Sequence, residues 1–419
     1  MSTMPQTPPT IAPAGTPVNA QIVDSAPAPI VAEFAASEVG TVVCAEALEE
    51  PAIVDERGPI RRVWETLSST AQWLFGVFSL VLALSLLSTY PLLQMLSLGY
   101  LLESSGRIAR TGRLRDGFVG VRKAARVGSV FFGAWLVLWP LRFASSMASS
   151  ARLIEPNSPA DRFWSTALIV LTGLVVVHVV GACWRGGKLR HFLWPRPIKL
   201  VRQVLRRGSY AQARDAVWEF VVHLRLPYYF WLGLRGFAGG LLWLFLPVSM
   251  LALGRQAPAI GFLGALALIV VLVYLPFVQT RFAAENRFRA MFEVGGARRA
   301  FRRAPVAFLL ALFITLLFAL PLYLLKIEII PREAAWLPSL VFVVFIFPAR
   351  LFTGWAYGYA AHRPRNRNWF LRQSARLMMV PVAAFYVLIV FFTQYTSWHG
   401  IASLYEQHAF LVPVPFLGL

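Results

Sequence analysis

The chain has 419 residues, of which 57% are hydrophobic and 14% charged, and its formal net charge is +20. So large an apolar share, arranged in long blocks, excludes an ordinary soluble domain and predicts a membrane protein. The positive charge lies between these blocks, which argues against nucleic acid as a partner. Cys44 and Cys183 form no disulfide framework and no metal-ligand spacing, so neither a metal nor a cofactor is expected.

The N-terminal region has two parts. Residues 1–57 are rich in proline, alanine, threonine and acids, with no lysine or arginine before Arg57. Such a tail buries little apolar surface and is expected to be disordered, and it lacks the pattern of a signal peptide. Residues 58–72 predict a short lead-in helix at the membrane interface. Its apolar residues recur at helical spacing: Ile60, Val63, Trp64 and Leu67.

Eight apolar segments follow, each long enough for a helix to cross about 30 Å of hydrocarbon. They cover 73–102, 127–148, 163–184, 228–253, 259–280, 305–325, 335–360 and 377–397. Their continuous apolar character excludes the alternating strands of a membrane barrel. The sequence therefore predicts an all-α fold, a polytopic transmembrane helix bundle over 73–397, and a short C-terminal tail at 398–419.

Charge alternates between the connectors. Four connectors are basic. Of the 40 lysine and arginine residues, seven lie in 103–126, ten in 185–225, seven in 281–303 and five in 362–376. The other three are nearly neutral: 149–162, 254–258 and 326–334. Lysine and arginine bias a loop toward the cytoplasm, so the four basic connectors are predicted to be cytoplasmic in a bacterial inner membrane.

The first apolar segment leaves two arrangements open. It spans about 30 residues and is broken at Thr89, Tyr90 and Pro91. A single tilted span, the preferred interpretation, places both termini outside when all eight segments cross. Two half-spans that form a re-entrant hairpin would place the N-terminus inside instead.

The basic connectors contain amphipathic stretches. In 281–303, Phe288, Met291 and Phe292 share one face, while Glu285, Arg289 and Glu293 are four apart and can pair along another. Apolar and basic residues also alternate at helical spacing over 198–206. These stretches predict helices on the inner leaflet, with arginines near anionic lipid headgroups. The candidates are Arg298, Arg299, Arg302 and Arg303. The alternative is that such charges only set the topology.

Three ionisable residues inside the spans are candidates for binding a substrate. A charge in hydrocarbon costs about 3 kcal/mol on insertion scales and therefore indicates function. Arg350 lies near the middle of its span. Arg235 follows the aromatic run Tyr228–Trp231 and can instead snorkel to the interface. His178, in the middle of its span, is either a proton carrier or a hydrogen-bonded packing residue.

Two stretches carry a resemblance to a known family. Pro91-Leu-Leu-Gln-Met-Leu-Ser-Leu-Gly99-Tyr100-Leu-Leu, followed by an arginine-rich turn and another span, resembles the uncharacterised bacterial multi-pass membrane proteins of domain of unknown function 4013. The stretch from Arg287 to Pro305 is similar to the second half of that family. The resemblance covers about 75–360. It implies a helical membrane protein and transfers no catalytic or ligand-binding residue.

Catalytic signatures are missing from the sequence. It contains no H-E-x-x-H, G-x-S-x-G or Walker motif, so the protein is not expected to be an enzyme. One hypothesis is a non-catalytic membrane protein that organises lipid or protein partners at the inner leaflet. The other is a transporter or channel for an anionic or lipidic substrate. A polar cavity shared by Arg235, Arg350 and His178 would favour transport, whereas contact with headgroups or solvent would favour the first.

Overall fold

The computed structural model describes residues 59–194, 209–324, 336–397, 399–405 and 410–411. Within these ranges the regular structure is helical and includes no β-strand. The tail predicted at 1–57 and the amphipathic stretch at 198–206 lie outside the described residues.

The described chain forms twelve α-helices, with short 3-10 turns between some of them. They are α1 (Pro59–Ser88), α2 (Gln94–Thr111), α3 (Val121–Ile154), α4 (Pro159–Trp184), α5 (Leu189–Leu193), α6 (Ser209–His223), α7 (Leu226–Ala252), α8 (Pro258–Glu285), α9 (Val294–Arg303), α10 (Pro305–Leu324), α11 (Trp336–Ala361) and α12 (Trp369–Thr396). Among the described residues, eight helical segments are long and apolar enough to cross a membrane; they correspond to all or most of α1, α3, α4, α7, α8, α10, α11 and α12. The protein is therefore an all-α, multi-pass integral membrane protein, which confirms the predicted fold class.

The four basic connectors lie at the same end of the bundle, because hydrogen bonds tie each of them to another. The bonds are Lys123 Nζ to the carbonyl oxygen of His223 (3.0 Å), Arg110 Nη1 to that of Ala283 (3.1 Å), and the backbone N–H of Arg367 to the carbonyl oxygen of Arg302 (3.0 Å). They join the first connector to the second, the first to the third, and the fourth to the third. We call this surface the basic end.

The first apolar segment is not a single helix. α1 begins at Pro59 and continues to Ser88, so the interfacial helix predicted at 58–72 is the first half of α1 and not a separate element. After a break at residues 89–93, α2 begins at Gln94. Pro91, which lacks a backbone N–H and disfavours the helical conformation of the residue before it, lies in this break. The preferred prediction of one span across 73–102 is therefore wrong.

α1 and α2 instead form a helical hairpin that opens at the basic end. α2 ends in the first basic connector, and α3 begins there. α1 runs parallel to α3. Gly76 packs against Val121 at the start of α3, and Ser79, one turn further along α1, packs against Gly128, two turns further along α3. α1 thus starts at the basic end and α2 returns to it. The chain turns back as the hairpin alternative expects, but α1 and α2, with 30 and 18 residues, are not the two half-spans predicted within 73–102. The turn removes the basis for placing both termini on the side opposite the basic connectors.

α2 is the central helix of the bundle, packed among α1, α7, α8 and α11. Its Leu101 and Ile108 are fully buried. It crosses α7 at two glycines, Gly99 and Gly233. A Cβ atom at Gly99 would lie only 1.8 Å from the carbonyl oxygen of Tyr229. The two backbones can approach so closely only because neither glycine carries a side chain.

The C-terminal residues that the structure describes pack onto the bundle, although 398–419 was predicted as a short tail. The 3-10 turn Gly400–Tyr405 lies against α12 and α7. The hydroxyl of Tyr405 donates a 3.0 Å hydrogen bond to Ser249 on α7, and Phe410 is fully buried. This turn lies at the end opposite the basic end, because α12 starts in the fourth basic connector and crosses the bundle.

Candidate functional site

Arg350 lies in α11 and is buried, with 3% of its surface exposed. Its Nη1 donates a 2.7 Å hydrogen bond to Oε1 of Gln279 on α8. The Nε2 of that amide donates in turn to the carbonyl oxygen of Phe410 at 2.9 Å. Both polar atoms of the Gln279 amide are therefore hydrogen-bonded. Arg350 belongs to a buried link between α8, α11 and the C-terminal residues.

Arg235 lies in α7 where the end of α8 reaches it. Its Nε donates to the carbonyl oxygen of Trp231 at 3.2 Å, and its Nη2 donates to Oδ1 of Asn286 at 3.2 Å. Asn286 caps the C-terminus of α8, so the guanidinium group lies at the basic end. This location agrees with the snorkelling alternative for Arg235.

His178 lies in α4 and is half-buried. Its Nε2 lies 2.8 Å from the carbonyl oxygen of Phe192 in the short helix α5. A carbonyl oxygen only accepts, so Nε2 carries the proton and donates it. The bond holds α5 against α4, which is the packing role that the sequence left open beside proton transfer.

The structure gives these three residues separate surroundings. Arg350 links α11 to α8, Arg235 links α7 to the end of α8, and His178 links α4 to α5. They share no hydrogen-bonding partner among the bonds described above. Their role in binding a substrate stays a prediction, and the structure does not assemble them into one site.

The four arginines predicted to contact headgroups lie in α9 at the basic end. The first three are exposed and the fourth is half-buried: Arg298, Arg299, Arg302 and Arg303. The inner face of α9 presents Gly296 and Ala297, which are buried against the bundle. Nε of Arg298 donates a 3.2 Å hydrogen bond to the hydroxyl of Tyr274 on α8, and its guanidinium stands 5.4 Å from the centre of that ring. α9 is therefore amphipathic, with arginines on its outer face.

Arg281 is the centre of an ion-pair cluster at the end of α8. Its side chain is 9% exposed, its Nε lies 2.6 Å from Glu285 Oε1, and its Nη2 lies 2.7 Å from Glu293 Oε2. The chain can return to Arg281 because Asn286, at φ +51°, ends α8 in a left-handed conformation. The predicted alignment of Glu285, Arg289 and Glu293 on one helix face is therefore wrong, since the connector is not one helix.

The same cluster includes a second arginine. Arg287 donates a hydrogen bond to Glu285, which raises the pKa of the Arg287 guanidinium. Two arginines are thus balanced by two carboxylates, those of Glu285 and Glu293. These charges stabilise the turn after α8 and add little net charge to the basic end.

Glu103 is an important residue that the sequence did not reveal. It is 4% exposed in α2. Its Oε1 accepts hydrogen bonds from Arg107 (3.3 Å) and Arg110 (2.8 Å), and its Oε2 accepts one from the hydroxyl of Tyr228 on α7 (2.8 Å). Arg107 and Arg110 follow Glu103 by four and seven residues, a spacing that places all three charges on one helix face. The sequence therefore carries a signal for this cluster. Because the apolar segment ends at residue 102, the sequence predicts position 103 as the start of a connector and not as part of a helix face.

Among the described residues, no cluster of histidine, cysteine and carboxylate side chains is arranged to hold a metal ion. In comparisons with known proteins, the chain matches no protein-family model, no curated protein and no solved structure. The resemblance of 91–102 and of 287–305 to domain of unknown function 4013 therefore stays a prediction.

Proposed function

We propose that this protein is a non-enzymatic membrane protein that gathers anionic lipids at the cytoplasmic face of a bacterial inner membrane. The observation that carries the proposal is the meeting of all four basic connectors at one end, where the outer face of α9 presents its arginines. Protein partners could be organised on the same surface, but arginine suits phosphate most directly.

The charge available at the basic end supports this role. No carboxylate in the described chain pairs with Arg298, Arg299 or Arg302, whereas Arg281 and Arg287 are neutralised by glutamates. Each cationic side chain near an anionic membrane surface contributes about 1 kcal/mol of attraction. The planar guanidinium group also binds phosphate oxygens with two parallel hydrogen bonds. The arginines of α9 are therefore available for lipid.

The alternative function, transport of an anionic or lipidic substrate, rested on convergence of Arg235, Arg350 and His178. Their separate hydrogen-bonding partners support the lipid-gathering role over transport. Arg350, the most buried of the three, already binds an amide oxygen on a neighbouring helix.

Lipid composition around the protein tests the proposal. Membrane discs excised with a styrene–maleic acid polymer would be purified with the protein, and their phospholipids compared with those of the whole membrane. Discs with wild-type protein should be enriched in anionic phospholipid. The triple variant Arg298→Gln, Arg299→Gln, Arg302→Gln should lose most of the enrichment.

A matched variant controls for net charge. Arg142, Arg162 and Arg255 are exposed and lie toward the opposite end, so their replacement by Gln removes the same charge away from α9. This variant should keep the enrichment. Equal loss in both triple variants, or a wild-type lipid composition equal to that of the whole membrane, would refute the proposal.

A further inference from the structure

A cavity of about 490 Å³ opens at the basic end where α2 finishes. It is separate from α9 and is formed by the end of α2 and the turn that follows it. Its lining includes Arg107, Arg110, Arg115, Asp116, Phe118 and Val119. Its volume lies within the range of about 300–1,000 Å³ that is usual for small-molecule sites.

Some guanidinium donors at the cavity have no acceptor among the described residues. Glu103 binds Nε of Arg107 and Nη2 of Arg110, and this buried carboxylate therefore holds both side chains in place. Within the described part of the chain, the Nη atoms of Arg107 and the whole guanidinium group of Arg115 have no hydrogen-bonding partner. Fixed, unpaired arginine donors are the groups that bind phosphate oxygens.

The backbone around the cavity is also held in position. Gly112, at φ +72°, ends α2 and turns the chain into the 3-10 turn Leu114–Gly117. The hydroxyl of Tyr100 in α2 then donates a 2.9 Å hydrogen bond to the carbonyl oxygen of Val119. The segment that carries Arg115 is therefore anchored to α2 on both sides of that residue.

An apolar surface adjoins the arginines. Phe118 lines the cavity, and its ring contacts that of Trp73 on α1, with the ring centroids 5.2 Å apart. Further along α1, Leu74 is 56% exposed and Phe78 is 63% exposed. A ligand with a phosphate in the cavity could therefore lay acyl chains along α1.

We propose that this cavity is a binding site for the phosphate of an anionic phospholipid. Arg107 and Arg115 bind the phosphate oxygens, and the acyl chains follow Leu74 and Phe78. Asp116 lines the same cavity and opposes additional negative charge, which favours a headgroup with a single phosphate. The choice of a lipid rests on the proposed function, whereas recognition of phosphate rests on the cavity alone.

Native mass spectrometry of the purified full-length protein, released from detergent micelles, tests this site. Phosphatidic acid, phosphatidylglycerol and phosphatidylcholine would be titrated separately, and inorganic phosphate and glycerol 3-phosphate would be added as soluble competitors. We expect one saturable phosphatidic acid or phosphatidylglycerol molecule per chain. Millimolar competitors should displace little of it, because they lack acyl chains.

Two neighbouring arginines give a matched pair of variants. Arg115→Gln should weaken the saturable binding about tenfold, since it removes a charged donor from the cavity. Arg113→Gln removes the same charge two residues away, outside the lining, and should leave binding unchanged. Asp116→Asn should strengthen binding, a gain that a merely damaged fold would not produce.

Three results would overturn the proposal: equal weakening by both arginine variants, equal binding of phosphatidylcholine, or no gain from Asp116→Asn. Displacement by glycerol 3-phosphate at the lipid's own concentration would overturn the lipid as ligand and identify a soluble phosphate compound instead. Enrichment around α9 is measured with different variants. If saturable lipid binding is absent while the lipid enrichment around α9 is intact, the cavity site is refuted and the lipid-gathering role is not.

Discussion

The hydroxyl of Tyr228 on α7 donates a 2.8 Å hydrogen bond to Glu103 on α2, so a single buried carboxylate joins the central helix to its neighbour and to Arg107 and Arg110. Such a group is costly to bury unless all of its partners are present. The three bonds therefore predict how the bundle responds when individual partners are removed.

Replacement of Tyr228 by Phe removes one hydrogen bond to a charged acceptor and should lower the free energy of unfolding by about 1–2 kcal/mol. Glu103→Gln should cost more, because two guanidinium groups lose their carboxylate. Denaturant-induced unfolding in detergent micelles measures both. Glu155→Gln is the control, since Glu155 is exposed in a neutral connector, and it should change stability by less than about 0.5 kcal/mol. Wild-type stability of Glu103→Gln would contradict the prediction.

Arg350→Met should destabilise the bundle by about 2–3 kcal/mol, because Oε1 of the buried Gln279 amide loses a charged donor. The double variant Arg350→Met, Gln279→Leu should recover little of the loss, because it also removes the 2.9 Å hydrogen bond that Nε2 of Gln279 donates to the carbonyl oxygen of Phe410. Unfolding measurements in micelles compare the single and the double variant.

Uptake of chloride or phosphate into proteoliposomes shows whether Arg350 also has a role in transport. A variant with unchanged stability and reduced uptake would restore the transport hypothesis.

Gly99→Val and Gly233→Val should each prevent or strongly weaken assembly of α2 with α7. A Cβ at either position would lie within 2 Å of a backbone carbonyl oxygen, which cannot move as a flexible side chain could. Yield of monodisperse protein and thermal unfolding measure the effect. Gly173→Ala in α4 is the matched control, because a Cβ there meets nothing within 4 Å. It should be neutral or stabilising by up to about 1 kcal/mol. Tolerance of valine at both α2–α7 positions would show that the crossing is not this close.

The hairpin of α1 and α2 predicts that the chain enters the bundle on the side of the basic connectors. Single cysteines would replace Ser68, Gly295 and Ile401 in a protein whose Cys44 and Cys183 are changed to serine. A membrane-impermeant maleimide applied to intact cells should label position 401. Positions 68 and 295 should react only after permeabilisation, because lysine and arginine bias a connector toward the cytoplasm. Labelling of position 68 in intact cells would restore a single span across 73–102.

Much of the fold follows from local properties of the sequence. Spans such as 305–325 are recognised by length and apolar content alone, and α10 occupies Pro305–Leu324. The common end of the basic connectors follows from alternation of charge. The roles of the candidate residues depend on tertiary contacts. Arg235 and Arg350 were both recognised as unusual, but only their partners, Asn286 and Gln279, distinguish an interfacial side chain from a buried link between helices.

An all-α, multi-pass bundle with its arginines on alternate connectors follows from the sequence alone, because hydrophobic length and charge are properties of neighbouring residues. Three features appear only in the tertiary structure: the first segment turns back as a hairpin, Glu103 is a buried junction, and some arginines of the described chain are paired with glutamates while others are not. These features depend on contacts between residues distant in the chain, such as Glu103 and Tyr228, which lie 125 positions apart. Such contacts are specified by how helix surfaces fit together, and no local pattern encodes that fit.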